Sequence, residues 1–335
     1  MTIDRRTALL ATLATLAVPL AARAAAQTAA PEVPGAAPIA GLPGPDLVID
    51  LWPGIAPGMP ARPPIEQVKE RSPDPGLNDR AVLGITRPRL AVFRPEVPNG
   101  AAVMITPGGG YKWVVVDKEG YELGRWLSAS GFTVFVLFYR LPGDGWKAGP
   151  DVALSDAQRA MRLIRARARD FAIEPERVAA MGFSAGGHVC CDLVARFAAR
   201  TYDPVDAADR LSARPYLAAP IYPVQSMHLP IAHAGSRALL IGKNAGAALE
   251  RAHTPAENVT RESPPCFLVH AEDDDTVPIE NTLQFRAALR AQGVATETHL
   301  FTNGGHGFGI RRVVGKPAGA WPDLFVTWSR AMGLI

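Results

Sequence analysis

Ser184 lies in a G-x-S-x-G pattern that is typical of a serine nucleophile on a turn between a strand and a helix. Residues 177–181 before it form a short apolar run of strand length, and residues 187–197 after it have helical character. Such a turn strains the backbone of its central residue and requires nearly side-chain-free neighbours two positions away. Gly182 and Gly186 meet that requirement. The pattern therefore predicts a nucleophilic serine.

A serine hydroxyl is a weak nucleophile at neutral pH, so this chemistry requires a base and an orienting acid elsewhere in the chain. Residues 264–270 are an apolar run that ends in the acidic loop 271–278. Residues 296–301 alternate like a strand and lead into a glycine-rich loop that contains His306. A histidine among glycines after a strand is free to reach a nucleophile. The order serine, aspartate, histidine is the order found in α/β-hydrolases.

The glycine run at 108–110 follows the apolar segment 102–106 and supplies a third requirement. Glycines after a strand let backbone N–H groups face the negative charge that develops on a carbonyl oxygen. A phosphate-binding loop is the rival interpretation. However, neither G-x-x-x-x-G-K-[ST] nor G-x-G-x-x-G stands between a strand and a helix in this chain. The run therefore favours an oxyanion hole over a nucleotide site.

The elements that carry these loops alternate between strands and helices, which predicts right-handed βαβ units. We expect an α/β-hydrolase fold, with a mostly parallel central sheet flanked by helices and catalytic groups at the carboxyl ends of its strands. Strands are expected at 46–52, 89–94, 101–106, 132–140, 177–181, 216–222, 264–270 and 296–301, and helices at 119–130, 154–171 and 187–197. The proline-dense segment 53–75 is expected to be irregular. Segment 223–260 lacks a clear strand and forms either a cap over the site or a surface helix with loops.

The chain resembles the α/β-hydrolase-fold esterases of the acetyl (xylan) esterase and feruloyl esterase type, which act on plant-polysaccharide esters. The resemblance covers residues 51–309. It rests on LWPG and APG within 51–58, PGGGY at 107–111, EG at 119–120, FYRLP at 138–142, GFSAGGH at 182–188 and GGHGFG at 304–309. Many esterases of this fold have histidine where this chain has Pro107. That departure argues against the lipase-like branch without removing the N–H donors.

The resemblance implies a role for each matching residue. Ser184 is implied as the nucleophile, His306 as the base and Asp274 as the orienting acid. The implied oxyanion donors are the backbone N–H groups of Gly109, Gly110 and Ala185.

Asp274 is preferred among three adjacent aspartates because it matches the family spacing H-x-x-x-D-x-x-V-P, counted from His270. Asp273 and Asp275 are expected to be solvated loop carboxylates. Three further residues are candidates for contacting a sugar or positioning the oxyanion loop, with structural packing as the alternative: Tyr111, Trp113 and Glu119.

Residues 1–26 are predicted to be an export signal peptide. Paired arginines at 5–6 precede an apolar stretch, residues 8–22, that is shorter than the ~20 residues of a membrane-spanning helix. The paired arginines favour twin-arginine export to a periplasmic or secreted location, without stable membrane insertion after cleavage. An uncleaved anchoring leader is the alternative. Residues 27–45 are predicted to be a spacer rich in alanine, proline and glycine, and 46–335 the α/β-hydrolase domain.

The formal net charge of +3 is too small to indicate a nucleic-acid partner. The arginines between 159 and 169 are expected to form the wet face of an amphipathic helix. Histidines in segment 223–260 have no ligand spacing, so we expect neither a metal nor a cofactor. The three cysteines are read as buried hydrophobes, which leaves open whether Cys266 pairs with Cys190 or Cys191.

The leading expectation is a secreted serine esterase that deacetylates carbohydrate esters such as acetylated xylan through an acyl-enzyme. Feruloyl esters, and amide or formamide bonds, are alternatives for the same triad. A carbohydrate-binding relative without activity is a third possibility, but it would not need a complete triad and glycine loop. The acyl group, the natural polymer and the oligomeric state are left open.

Overall fold

The core of the molecule is an eight-stranded sheet in which six neighbouring strands run parallel. The structure is a computed structural model that describes residues 43–335. The strands are β1 Leu47–Asp50, β2 Gln67–Glu70, β3 Arg80–Leu83, β4 Arg89–Phe93, β5 Ala102–Thr106, β6 Val114–Val115, β7 Thr133–Phe138, β8 Val178–Phe183, β9 Ala218–Ile221, β10 Cys266–Ala271 and β11 Thr296–Phe301. The order in the large sheet is β1-β4-β7-β5-β8-β9-β10-β11, with β4 antiparallel to both of its neighbours. The predicted α/β-hydrolase fold is confirmed.

The helices cover the faces of this sheet. They are α1 Glu122–Ala129, α2 Val152–Ala166, α3 Ser184–Arg196, α4 Ala234–Leu240, α5 Ala247–Ala252, α6 Glu280–Ala291 and α7 Trp321–Ala331. Short 3-10 turns lie at Pro142–Asp144, Gly149–Asp151, Ala168–Phe171, Ala207–Arg210, Pro255–Glu257, Arg311–Val313 and Pro317–Ala320. Strands β5, β7, β8 and β10 are buried along their whole length. They therefore read as continuous apolar runs, as strands covered on both faces do.

The three predicted helices differ from the observed ones at their ends, and the one expected at 187–197 is α3, Ser184–Arg196. The helix expected over 119–130 is split, because the π-helical turn Asp117–Tyr121 precedes α1. The helix expected over 154–171 ends at Ala166. Within residues 43–335, no helix combines the length and the apolar character needed to cross a membrane.

A second, three-stranded sheet lies partly in the segment predicted to be irregular. Strand β3 pairs antiparallel with β2 on one side and with β6 on the other. The expectation of irregular structure over 53–75 is therefore wrong for β2, whose four mostly exposed residues carry no apolar run. Strand β6 begins four residues after Gly110, so the second sheet anchors the far end of the glycine loop.

A buried ion pair joins two of the motif segments. The guanidinium of Arg140 is 1% exposed, the carboxylate of Asp156 is fully buried, and Nη2 lies 2.8 Å from Oδ1. The indole N–H of Trp52 donates to the same oxygen at 2.9 Å. Arg140 Nη1 also donates to the Pro57 carbonyl at 2.6 Å. Arg140 thus ties the segment around 51–58 to strand β7 and helix α2.

The arginines between 159 and 169 were predicted to form a solvent-exposed helix face, and this prediction is wrong at two positions. Arg159 is buried and forms ion pairs with Asp206 and Asp209. Arg165 is buried and donates to two carbonyl groups of the loop 212–214. The loops that follow α3 cover this side of the helix and supply the acceptors, which the helical periodicity alone does not reveal. The other arginines of the run are partly or fully exposed: Arg162, Arg167 and Arg169.

The three cysteines carry free thiols and are all buried. Burial raises the pKa of the Cys190 thiol to about 12, so it stays protonated at neutral pH. The pairing of Cys266 that the sequence left open is not formed in the structure. The predicted signal peptide at 1–26 and most of the predicted spacer at 27–45 lie outside the described residues.

Candidate active site

Ser184 lies at the junction of β8 and α3 with a φ of 52°, in the left-handed region that non-glycine residues rarely occupy. A methyl group on Gly186 would lie 2.1 Å from the Thr106 carbonyl oxygen and 2.2 Å from that of Pro107. A methyl group on Gly182 would lie 2.4 Å from the Gly186 carbonyl oxygen. The helix therefore packs against β5 and β8 only because these positions have no side chain.

The hydroxyl of Ser184 meets the imidazole of His306, with 2.8 Å between Oγ and Nε2. On the other side of the ring, Nδ1 of His306 lies 2.7 Å from Oδ2 of Asp274. Because a carboxylate only accepts, the ring proton sits on Nδ1, and Nε2 is left to accept the serine proton. The structure therefore brings the three predicted residues together in the arrangement that transfers a proton from serine to histidine. Their catalytic roles stay predictions.

Asp274 is held on several sides. Its Oδ1 accepts the N–H groups of Thr276 and Val277 at 3.0 and 2.8 Å, and Nε2 of His270 lies 3.2 Å from Oδ2. Burial opposes ionisation of the carboxyl, but the hydrogen bonds from His270, His306 and Val277 outweigh it and hold the pKa of Asp274 well below its usual range. Asp274 is thus an anion at neutral pH.

The neighbouring carboxylates differ from each other. Asp275 is exposed, as predicted, and its Oδ1 accepts a hydrogen bond from the Thr276 hydroxyl at 3.1 Å. Asp273 is also exposed, but its Oδ1 accepts the N–H groups of Gly304 and Gly305 at 2.8 and 2.7 Å. The description of Asp273 as merely solvated is therefore incomplete, because it fixes the loop that presents the histidine.

The predicted oxyanion donors belong to two segments that meet at Ser184, the glycine run and the first turn of α3. A methyl group on Gly108 would lie 2.9 Å from Ser184 Cβ, so the glycine run adjoins the nucleophile. Gly109 and Gly110 have φ values of 132° and 65°. Ala185 lies in the first turn of α3, where N–H groups have no partner within the helix. Among the described residues, no hydrogen bond engages the N–H group of Gly109, Gly110 or Ala185. All three groups are thus available to an oxyanion.

Glu119 holds the glycine run through a hydrogen bond to its first glycine. Its carboxylate is buried, and Oε2 accepts the Gly108 N–H at 2.9 Å. Its Oε1 accepts the phenol of Tyr222 at 3.1 Å, and the Tyr222 oxygen in turn accepts the Gly309 N–H at 3.0 Å. Of the two roles considered for Glu119, the geometry favours positioning of the loop over contact with a sugar.

Tyr111 is 2% exposed, so the geometry favours packing over contact with a sugar. Its hydroxyl lies 2.7 Å from Nδ1 of His188, and Nε2 of that ring lies 2.8 Å from the carbonyl of His253. Because a carbonyl only accepts, Nε2 carries the proton and Nδ1 accepts from the phenol. Burial is the main cause that lowers the pKa of His188 to about 4. The neutral imidazole of His188 therefore holds Tyr111, the residue that follows the glycine run, in place.

Trp113 is partly exposed beside the same loop. A methyl group on Gly109 would lie 2.5 Å from its Cδ1 atom. The Nζ of Lys112 and the guanidinium of Arg71 lie 4.5 and 5.6 Å from the centre of its ring. Of the three candidates for sugar contact, Trp113 alone is accessible to solvent, since Tyr111 and Glu119 are buried.

Sequence reasoning did not assign Tyr222, which ends the predicted strand 216–222. Its φ is 37°, and its ring lies edge-on to His306 and Phe308. Its position one residue after β9, at the carboxyl edge of the sheet, is a signal that could have identified it. His270 is buried, with its ring nitrogens 2.7 Å from the Thr282 hydroxyl and 3.1 Å from the Val277 carbonyl, and it also contacts Asp274.

One cluster of possible metal ligands lies outside this site. Asp151, Asp192 and His253 have ligand atoms within 4.8 Å of one another. Arg196 already forms ion pairs with both aspartates, at 2.7 and 3.2 Å. Its guanidinium supplies the positive charge that a cation would bring, so the cluster is poorly suited to hold a metal.

Two family models match this chain. The BD-FAE model matches residues 91–205, and the model of the prolyl oligopeptidase family matches residues 219–317. The chain is 32% identical over 227 residues to an acetylxylan esterase of Xylanibacter ruminicola, an alignment that covers 66% of this chain and 44% of that protein. It is 30% identical to endo-1,4-beta-xylanase B of Butyrivibrio fibrisolvens, covering 76% of this chain and 39% of that protein. The chain thus spans less than half the length of these two curated relatives.

Solved structures give fuller coverage. An acetyl ester-xyloside bifunctional hydrolase from Caldicellulosiruptor lactoaceticus has a TM-score of 0.71 and 31% identity, covering 88% of this chain and 99% of that one. Thermogutta terrifontis esterase 2 has a TM-score of 0.63 at 20% identity, covering 82% of this chain and 97% of that one, a likeness of fold. The fold and the serine-centred site define an α/β-hydrolase. More narrowly, the chain belongs to the α/β-hydrolase-fold serine esterases.

Proposed function

We propose that this chain is a secreted serine carboxylic-ester hydrolase that removes acetyl groups from carbohydrate esters such as acetylated xylan. The observation that carries the proposal is the continuous hydrogen-bonded series from Ser184 through His306 to Asp274, with contacts of 2.8 and 2.7 Å. That series supports hydrolysis in general. The carbohydrate substrate is supported by the names of similar proteins, an acetylxylan esterase and an acetyl ester-xyloside hydrolase.

The proposed reaction proceeds through an acyl-enzyme. Ser184 Oγ attacks the ester carbonyl carbon while His306 Nε2 takes the serine proton, and Asp274 stabilises the imidazolium. The N–H groups of Gly109, Gly110 and Ala185 stabilise the negative carbonyl oxygen. The C–O bond to the sugar then breaks, and His306 gives its proton to the departing alcohol. Water enters, His306 removes one of its protons, and the resulting hydroxide attacks the acyl carbonyl carbon. The bond from that carbon to Ser184 Oγ then breaks, Oγ takes the proton back from His306, and acetic acid leaves.

Export is part of the proposal. The paired arginines at positions 5–6 and the apolar stretch 8–22 support it, because together they have the composition of a cleaved leader. A polysaccharide substrate is also consistent with action outside the cell.

Hydrolysis of an amide bond is the second candidate, because the prolyl oligopeptidase model matches residues 219–317. The same triad and hole suit acyl transfer from an ester or an amide. Two substrates with the same acyl group, 4-nitrophenyl acetate and 4-nitroacetanilide, distinguish ester hydrolysis from amide hydrolysis. Comparable turnover of the anilide would favour the amide.

The direct test measures acetate release from acetylated xylan by the wild-type protein and by Ser184→Ala. We expect release by the wild type and none by the variant. A fluorophosphonate probe, which labels activated serines, serves as the control for a working nucleophile. Labelled protein that releases no acetate would refute the acetylated-xylan substrate while leaving the hydrolase. Unlabelled, folded protein would refute the mechanism.

A further inference from the structure

His233 lies in segment 223–260, beside the glycine loop. A methyl group on Gly110 would lie 3.9 Å from His233 Cε1 and 3.8 Å from Ser236 Oγ. Helix α4, which His233 caps, therefore approaches the presumed oxyanion donors closely. Of the two possibilities for this segment, contact with the site favours the cap.

Hydrogen bonds hold segment 223–260 against helix α6, and they fix the position of His233. From α6, Asn281 accepts the N–H groups of Gln225 and Ser226 at 3.0 and 2.9 Å and donates to the Ile231 carbonyl at 3.0 Å. Within the segment, the buried guanidinium of Arg237 donates to four backbone carbonyl groups and to Glu250. A side chain on such a scaffold is preorganised for binding.

The hydrogen bonds of the His233 ring also fix its proton. Nδ1 accepts the Ser236 N–H at 3.2 Å and lies 2.8 Å from the Ser236 hydroxyl. Because an amide N–H only donates, Nδ1 is the acceptor and the proton of the neutral ring sits on Nε2. Burial, followed by the charge of His306, lowers the pKa of His233 and favours this neutral form. Within residues 43–335, no hydrogen-bond partner engages Nε2.

An acetyl ester has few groups that could accept a hydrogen bond from the Nε2–H of His233. The acetyl carbonyl oxygen is served by the N–H groups of the glycine loop and α3, and the methyl group accepts no hydrogen bond. A further donor next to the loop is therefore matched to the alcohol part of the substrate, and a sugar presents hydroxyl and ring oxygens there.

We propose that His233 is a specificity-determining residue that donates a hydrogen bond from Nε2 to an oxygen of the sugar next to the scissile acetyl ester. The inference rests on the proposed carbohydrate esterase function and adds a residue for sugar recognition. It makes His233 a binding group for the alcohol, separate from the groups that stabilise the oxyanion.

His233→Asn is the informative variant. Asparagine is among the best residues for capping a helix N-terminus, so it preserves the bond to the Ser236 N–H. Its shorter side chain removes the distal donor. Lys243→Ala, at an exposed position of the same segment, is the matched control. The unfolding midpoint of each variant verifies folding.

The experiment measures kcat and KM on an acetylated xylo-oligosaccharide and on 4-nitrophenyl acetate, which has no sugar. For His233→Asn we expect kcat/KM on the sugar ester to fall roughly 3- to 10-fold, mainly through KM, with the nitrophenyl ester and the control variant unchanged.

An equal loss on both substrates would overturn the proposal by assigning His233 to the oxyanion loop, and no loss on either would overturn it as well. A wild-type protein that cleaves the nitrophenyl ester but not the sugar ester would refute the proposed function, and this inference with it. That result differs from a loss confined to His233→Asn, so the two failures are distinguishable.

Discussion

The phenol of Tyr222 donates a 3.1 Å hydrogen bond to Glu119, and this bond joins the two loops on which the site depends. Glu119 holds Gly108 of the glycine run, and Tyr222 holds Gly309 of the loop that carries the histidine. One polar bridge between distant parts of the chain therefore positions both the predicted oxyanion donors and the predicted base.

Removal of this bridge is expected to slow turnover. Tyr222→Phe leaves both the carboxylate of Glu119 and the N–H of Gly309 short of a partner. We expect kcat on 4-nitrophenyl acetate to fall roughly 10- to 100-fold, since a small displacement of catalytic groups has a large effect. Tyr216→Phe is the matched control, because the Tyr216 hydroxyl donates to the Met332 carbonyl, which lies away from both loops. Equal rates for the two variants would contradict the role of the bridge.

The three adjacent aspartates provide a test of the acid. In Asp274→Asn, the amide no longer enforces a proton on Nδ1 of His306. We expect kcat to fall by about three to four orders of magnitude, with the protein still folded. Asp275→Asn should retain normal kcat, because within residues 43–335 the Asp275 carboxylate bonds to Thr276 and not to His306. Measurement of kcat for both variants on the same ester decides the assignment. A larger loss in Asp275→Asn would show that the acid was misassigned.

The buried His188 gives a pH dependence of stability with a defined sign. Its pKa falls from 6.5 to about 4 in the folded protein, so between these values the unfolded state binds a proton that the folded state does not. The contribution of His188 to the free energy of unfolding should thus decrease as pH falls through this window, by up to about 3 kcal/mol.

Urea unfolding at several pH values measures this effect. The variant His188→Gln does not titrate there, and its stability should change less across the same window. Parallel curves for the two proteins would contradict the assignment of the pH dependence to His188.

The glycines of the nucleophile turn are a steric requirement. In Gly186→Ala, the new methyl group would collide with two backbone carbonyl groups that belong to or follow β5, so neither yields easily. We expect a loss of roughly 2–3 kcal/mol in the free energy of unfolding. Gly246→Ala is the control, since its φ is −79° and no atom lies within 4 Å of the added methyl group. Similar unfolding midpoints for the two variants would refute the steric argument.

The middle of the central sheet was predictable because strands β5, β7, β8 and β10 are buried on both faces and stand out as apolar runs. The edge strand β11 is only partly buried, and its alternating pattern predicted it instead. Strand β11 matches the expected 296–301. The small second sheet was not predictable, because β2 and β6 have only four and two residues and their pairing depends on contacts across the chain. Arg159 was misplaced for a related reason, since its carboxylate partners lie in a distant loop.

In the site, too, the features that local sequence determines were predictable and those that depend on contacts across the chain were not. The pattern around Ser184 and the loop of His306 could be recognised because local backbone geometry dictates their glycines. The bridge between Glu119 and Tyr222 joins residues 103 positions apart, and the contact between His233 and Gly110 likewise depends on the path of the segment between β9 and β10. No local pattern encodes such contacts.

The buried, unpaired thiols of Cys190, Cys191 and Cys266 bear on how the protein is made. No covalent cross-link holds residues 43–335 together, so their folding requires neither an oxidant nor a disulfide isomerase. The domain is therefore suited to production in a reducing cytosol, and dithiothreitol in the buffer should leave its unfolding midpoint unchanged.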